Sequence, residues 1–266
     1  MKNSFYILCI FFSLNIKAGD SILFKLEVTS TFFTTDNLFN IYFINDKNEI
    51  IKFNYVDTSL ITYSNKNLGR PVLIDASNPM KLLIFYPDFN SIVLLSNKLA
   101  ELSIIQLNNF NQIFYQPVAV CKESESDFIW IYDDLTRKLF KLDESGIVVA
   151  QSEPFDQLFD FTIQQPKIFS VNDNVFLYAA DEGLLVFDTY ANYINTFSQL
   201  PNELQQVSES YYTSISDGKI IVFNTESTTI SEIIYDEKNV LQVNIRGNNF
   251  FLRMADSIVI YPIRED

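Results

Sequence analysis

Apolar residues in this chain come in short continuous runs, and most of the runs end at an acidic turn. One phrase recurs: an apolar strand, a turn carrying Asp, then a second apolar strand closing on a bulky residue. It first reads Ile41-Tyr42-Phe43-Ile44-Asn45-Asp46, followed by Ile50-Ile51-Lys52-Phe53. It returns around Asp88, Asp134, Asp181, Asp217 and Asp256. The closing residues are Phe53, Leu95, Leu142, Phe187, Phe223 and Tyr261, spaced 36 to 47 residues apart. Self-similarity at that period predicts a repeat architecture.

Each copy is flanked by one further strand-like run on either side, as Pro71-Val72-Leu73-Ile74-Asp75 and Leu102-Ser103-Ile104-Ile105-Gln106-Leu107 flank the second copy. Four short strands per unit of about 40 residues is the period of a β-propeller blade. Unbroken apolar runs fit strands covered on both faces, as where blades stack. Pro71, Pro117, Pro166 and Pro201 stand where inner strands begin, a position that needs no ladder N–H. The last copy has three strands, and Ile22-Leu23-Phe24-Lys25-Leu26-Glu27-Val28 is a spare strand near the start. That spare strand completes the last blade and removes an open edge. The expected fold is all-β: a six-bladed β-propeller over residues 19–266, closed by its N-terminal strand.

The segment before it reads as a targeting signal. A short basic start precedes Phe5 to Ile16, an apolar run of twelve residues. A membrane span takes about 20, so the run fits a signal-peptide core, with cleavage expected after Ala18. The mature chain then has no transmembrane segment and is periplasmic. Cys9 leaves with the signal, and Cys121, in the run Pro117-Val118-Ala119-Val120-Cys121, is left as a lone thiol expected to be buried.

Charge and composition narrow the chemistry. The chain carries 33 acidic and 19 basic residues, a net −14, and no histidine. An acidic chain is a poor partner for nucleic acid, which is bound through clustered Lys and Arg. Without histidine there is no Ser-His-Asp or Cys-His nucleophile, and no nucleophile-elbow motif is present. No cofactor and no metal site are expected. Asp75, Glu123, Asn172 and Glu209 would be the acids and amides of a calcium-dependent propeller enzyme, but they form no recognisable motif. The protein is therefore expected not to be an enzyme.

Two features point to binding. Asp46, Asp88, Asp134, Asp181, Asp217 and Asp256 form a ring of acidic turns, which reads either as a rim for a cation or basic partner or as Asp favouring tight turns. Two connections between blades are long and aromatic, one holding Phe110, Phe114 and Tyr115, the other Phe155, Leu158, Phe159 and Phe161. Phe155, Leu158 and Phe159 have the spacing of one helical turn. With Phe89 on the same face, these rings form a partner-binding patch or plug the mouth of the central channel.

Leu68-Gly69-Arg70-Pro71, Asp75-Ala76-Ser77-Asn78-Pro79-Met80-Lys81, Phe85-Tyr86-Pro87-Asp88-Phe89 and Trp130-Ile131-Tyr132-Asp133 resemble an uncharacterised family of exported six-bladed propellers from Bacteroidota. The resemblance implies a non-catalytic periplasmic scaffold that binds a protein of the cell envelope, as an accessory of an outer-membrane assembly or of a secretion machine such as the type 9 system. A calcium-dependent lactonase or lyase and a glycan-binding module are the alternative readings.

Overall fold

A computed structural model describes residues 17–18, 22–107, 116–123, 126–180, 182–197, 203–208, 210–216, 219–224, 230–234 and 240–264. The N-terminal segment expected to be a signal, apart from Lys17 and Ala18, the first aromatic connection with Phe110, Phe114 and Tyr115, and Asp181, Glu209 and Asp217 lie outside the described residues.

Six antiparallel sheets form a six-bladed β-propeller. The inner strands are Ser30–Thr35, Leu73–Asp75, Pro117–Lys122, Lys167–Val171, Leu204–Val207 and Gln242–Arg246. In blade one the order outward is Ser30–Thr35, Asn40–Asn45, Ile50–Asn54 and Leu60–Tyr63, each paired with the next. Blades two to five repeat that order. Blade six supplies only Gln242–Arg246, Asn249–Arg253 and Ser257–Arg264, and Phe24–Glu27 pairs with the last of these from Phe24 opposite Ile260 to Glu27 opposite Ser257. Lys17 and Ala18 extend the pairing to Arg264 and Ile263. The spare strand closes the ring, as the repeat count requires.

The recurring phrase has one register throughout. Ile41 stands opposite Phe53, Leu82 opposite Leu95 and Ile129 opposite Leu142. Val175 likewise faces Phe187, Tyr212 faces Phe223 and Phe250 faces Tyr261. The closing bulky residue is thus the cross-strand partner of a residue at the start of the second strand.

The core is divided among the interfaces between blades, which explains the unbroken apolar runs. Successive side chains of a strand point to opposite faces. In blade two, Leu82, Ile84 and Tyr86 pack with Tyr42 and Ile44 of blade one. Leu83 and Phe85 pack with Val120, Ile129 and Ile131 of blade three. Corresponding clusters fill the other interfaces, including the one in which Phe33 and Phe43 of blade one meet Phe251 and Ile260 of blade six. Cys121 is one of these packed residues, a free buried thiol. No helix among the described residues is long and apolar enough to cross a membrane.

Antiparallel order gives the propeller two unlike ends. The leading face, where inner strands begin, carries the connections between blades and the turns between second and third strands. The trailing face carries the other turns. The inner strands enclose a central cavity of about 400 Å³.

Candidate functional site

The acidic turns lie on the leading face. Asp46, Asp88, Asp134 and Asp256 are exposed, and among the described residues no three His, Cys, Asp or Glu side chains converge to hold a metal. Asp88 has a local partner: its Oδ2 accepts from the Arg70 amide at 2.8 Å. Gly69 beside it has φ +80°, and a Cβ there would come within 2.5 Å of Asp88 Oδ2. The turn of blade two thus grips the connection that leads into that blade. Blade three repeats the device one residue earlier. The buried Asp133 accepts from the Gln116 amide at 2.7 Å and from Thr136.

Asp75 and Glu123 lie toward the trailing face and both tie strands together. Asp75 accepts from the amides of Ser77 at 2.9 Å and Lys122 at 2.7 Å, joining blades two and three. Glu123 pairs with Lys141 at 2.8 Å and accepts from the Trp130 indole at 2.7 Å and from the Ser126 hydroxyl. Burial alone would raise the Glu123 carboxyl, but Lys141, Ser126 and Trp130 outweigh it and hold it below the ordinary value. The Lys141 ammonium also sits 4.3 Å from the centre of the Phe128 ring, a cation–π contact. Asn172 stands apart from both, exposed in a turn of blade four with φ 53°.

The second aromatic connection supplies a concave site. Phe155–Leu158 forms a single helical turn, with the Phe159 amide donating to the Phe155 carbonyl at 2.8 Å, as the spacing predicts. The turn of blade three holds both ends of it: Phe155 N–H donates to the Arg137 carbonyl at 2.8 Å, and Arg137 Nη2 donates to the Phe161 carbonyl at 3.1 Å. The rings then part company. Phe155 has no exposed surface; it stacks on Phe187 with 5.4 Å between ring centres, and Tyr132 lies tilted against it at the same separation. It belongs to the core between blades three and four, in neither a surface patch nor a channel plug, because Tyr132 and Phe187 cover it from both sides. Phe159 and Phe161 are half-buried and stack at 5.1 Å, with Tyr193 edge-on to Phe159 at 5.0 Å. Leu158 is 37% exposed, and Phe89 is 54% exposed on a turn of blade two.

Phe159 and Phe161 line an open groove of about 580 Å³ together with Arg137, Asp156, Asp160, Thr162, Gln164, Ala180 and Glu182. Three carboxylates, one guanidinium and two aromatic rings therefore line the one groove. Sequence reading finds the rings by their spacing but misses Arg137, Glu182 and Tyr193. Only the stacking of blades brings them to the connection.

No protein-family model matches the chain, and no curated protein matches it. The likeness is to solved structures. Selenomethionine-substituted virginiamycin B lyase from Staphylococcus aureus superposes with a TM-score of 0.63 at 12% identity, over 91% of this chain and 99% of that one. A streptogramin B lyase gives 0.61 at 12% identity, over 91% of this chain and 96% of that one. A catalytically inactive histidine-to-alanine variant of virginiamycin B lyase from Staphylococcus aureus, in a structure with quinupristin, gives 0.60 at 13% identity, over 94% of this chain and all of that one. These proteins are enzymes, which overturns the expectation that the chain is not one. That expectation rested on missing motifs, and a propeller of this shape carries lyase chemistry in chains of very different sequence. At this identity the likeness is one of fold, and the fold it establishes is the six-bladed β-propeller of virginiamycin B lyase.

Proposed function

We propose that this protein is an exported periplasmic propeller that captures a basic segment of an envelope protein in the groove between blades three and four. The observation that carries the reading is the pairing of Asp156, Asp160 and Glu182 with the half-buried Phe159 and Phe161 in one concavity. A Lys or Arg side chain entering there meets carboxylates for its charge and ring faces for its cation, an interaction worth about 0.5–2 kcal/mol as it is desolvated. Exposed Leu158 adds an apolar contact at the rim. The net charge of −14 attracts a basic partner from a distance. The resemblance to exported propellers of Bacteroidota favours a partner in an outer-membrane assembly or a type 9 secretion machine.

Pull-down from detergent-solubilised envelope tests this. Leu158→Ser combined with Asp156→Asn and Asp160→Asn is expected to abolish capture of the partner and leave the melting temperature unchanged. Capture that survives all three changes, or that is insensitive to salt, overturns the groove as the site.

A lyase-type reaction is the second reading, favoured by the fold shared with those enzymes. The inactive variant ties that enzyme's catalysis to a histidine, and the present 266 residues contain none. Such a reaction would need a different residue in that histidine's place. A saturable rise in melting temperature with calcium, reversed by chelation, would move the assignment toward the calcium-dependent form of this reading.

A further inference from the structure

The central cavity is walled by the inner strands of all six blades, and each charged group that lines it already has a partner in the protein. Asp75 accepts from the amides of Ser77 and Lys122. The Lys122 ammonium turns to the Ser126 carbonyl and to Asp127. Lys167 Nζ donates to the Leu204 carbonyl at 2.7 Å, and the Arg246 guanidinium donates to the Thr35 carbonyl at 3.0 Å. The wall presents no charge that calls for a counter-ion.

What it does present is neutral and polar on one side. Gln242 spends its Oε1 on the Phe33 amide and Arg253, and Gln205 spends its Nε2 on the Glu203 carbonyl. Among the described residues, Gln242 Nε2, Gln205 Oε1 and the side chains of Asn244 and Thr34 make no hydrogen bond. These groups stand together. Gln242 reaches Phe33 and Arg246 reaches Thr35, so the inner strands of blades six and one run side by side and Asn244 comes level with Thr34. Gln205 continues the same wall from blade five. The facing wall is apolar: Val72 of blade two and Val118 of blade three line the cavity at 47% and 37% exposure. The half-buried ring of Phe169, from blade four, lines it across the ring from Thr34.

We infer that the channel is a binding site for a neutral carbohydrate, a mono- or disaccharide. Its hydroxyls are held by Asn244, Thr34, Gln242 and Gln205, and its C–H faces lie against Phe169, Val72 and Val118. A sugar ring is divided in the same way as this wall, with hydroxyls around its rim and C–H patches on its faces. Each sugar hydroxyl both donates and accepts. It is matched by a side-chain amide or hydroxyl, which offers both in one group, as at Asn244 and Thr34. The cavity of about 400 Å³ falls within the range of small-molecule sites. It is separate from the groove between blades three and four, so either site can fail alone.

Calorimetry and thermal denaturation with glucose, N-acetylglucosamine and maltose as probes test the inference. At least one probe is expected to bind saturably and to raise the melting temperature to a plateau. Sugars also stabilise proteins by exclusion from the surface, an effect that grows steadily with concentration, so a rise without a plateau counts against the inference. Asn244→Leu and Thr34→Val remove no hydrogen bond among the described residues. Each is expected to weaken the bound probe by about tenfold or more while the sugar-free melting temperature stays near the native one. Asn244→Asp keeps the size of the side chain and removes its donor, and it should weaken the probe by a similar factor even where leucine does not fit. The inference is overturned if none of the three probes binds saturably, or if the variants that fold keep the native affinity. Citrate binding as tightly as the sugars would overturn it as well, because the channel would then select for charge.

Discussion

The guanidinium of Arg253 donates from Nη1 to the carbonyl of Ser30 at 2.7 Å, joining two residues 223 positions apart in the sequence. Its Nε donates to Gln242 Oε1 at 2.7 Å, and the same oxygen accepts from the Phe33 amide. At the other end of the same inner strand, Arg246 grips the Thr35 carbonyl. Blade six is therefore fastened to blade one at both ends of the first inner strand, in addition to the strand that crosses over to complete it.

Replacing Arg253 should weaken this seam. Hydrogen bonds from a charged donor contribute about 1.5–3 kcal/mol, and Arg253→Met removes such bonds while keeping an apolar stem. The expected result is a lower urea midpoint with unchanged steepness. A midpoint equal to that of the native protein would mean that the seam is held by the crossover strand and its apolar contacts alone.

Deleting residues 19–29 should cost more. Phe24 stacks on Phe53 at 5.5 Å, and Phe24 and Leu26 cover the cluster between blades six and one. Losing two partly buried large side chains costs about 2–4 kcal/mol, and Ser257–Arg264 becomes an open edge. The truncated protein is expected to melt earlier and to self-associate in sedimentation experiments. Removing residues 1–18, by contrast, takes away among the described residues the Lys17 and Ala18 pairing with Ser257–Arg264. A monomeric truncation with the native melting temperature would contradict the closure.

The aromatic connection should divide into core and surface under substitution. Phe155→Ala leaves a void against Tyr132 and Phe187 and is expected to cost about 3–5 kcal/mol. Leu158→Ser is exposed and should stay within about 0.5 kcal/mol. Chemical denaturation of the two single variants checks the contrast. Equal costs would mean that the helical turn is packed as a whole.

Acid sensitivity should trace in part to Glu123. Its carboxyl is held below the ordinary value in the fold, so on acidification the unfolded chain takes up the proton first. The stability it contributes is complete above the unfolded value of about 4.3 and is lost as pH falls through the lower folded value. Glu123→Gln is expected to flatten the fall in urea midpoint between about pH 6 and about pH 3. A variant that loses stability as steeply as the native protein would remove Glu123 from the account.

Local pattern alone was enough for the blade count, the register phrase and the closing strand. Each blade is a contiguous stretch of chain whose strands pair with their neighbours in sequence, so apolar runs and Asp turns at a steady period determine it. The helical turn at Phe155–Leu158 was legible for the same reason. Which way its rings face was not. Spacing places Phe155, Leu158 and Phe159 on one side of a turn, but Tyr132 and Phe187, from two different blades, decide that Phe155 is core while Phe159 lines a groove. The seam between Arg253 and Ser30 was hidden likewise. Its meaning comes from a neighbour hundreds of residues away, and only ring closure sets that distance.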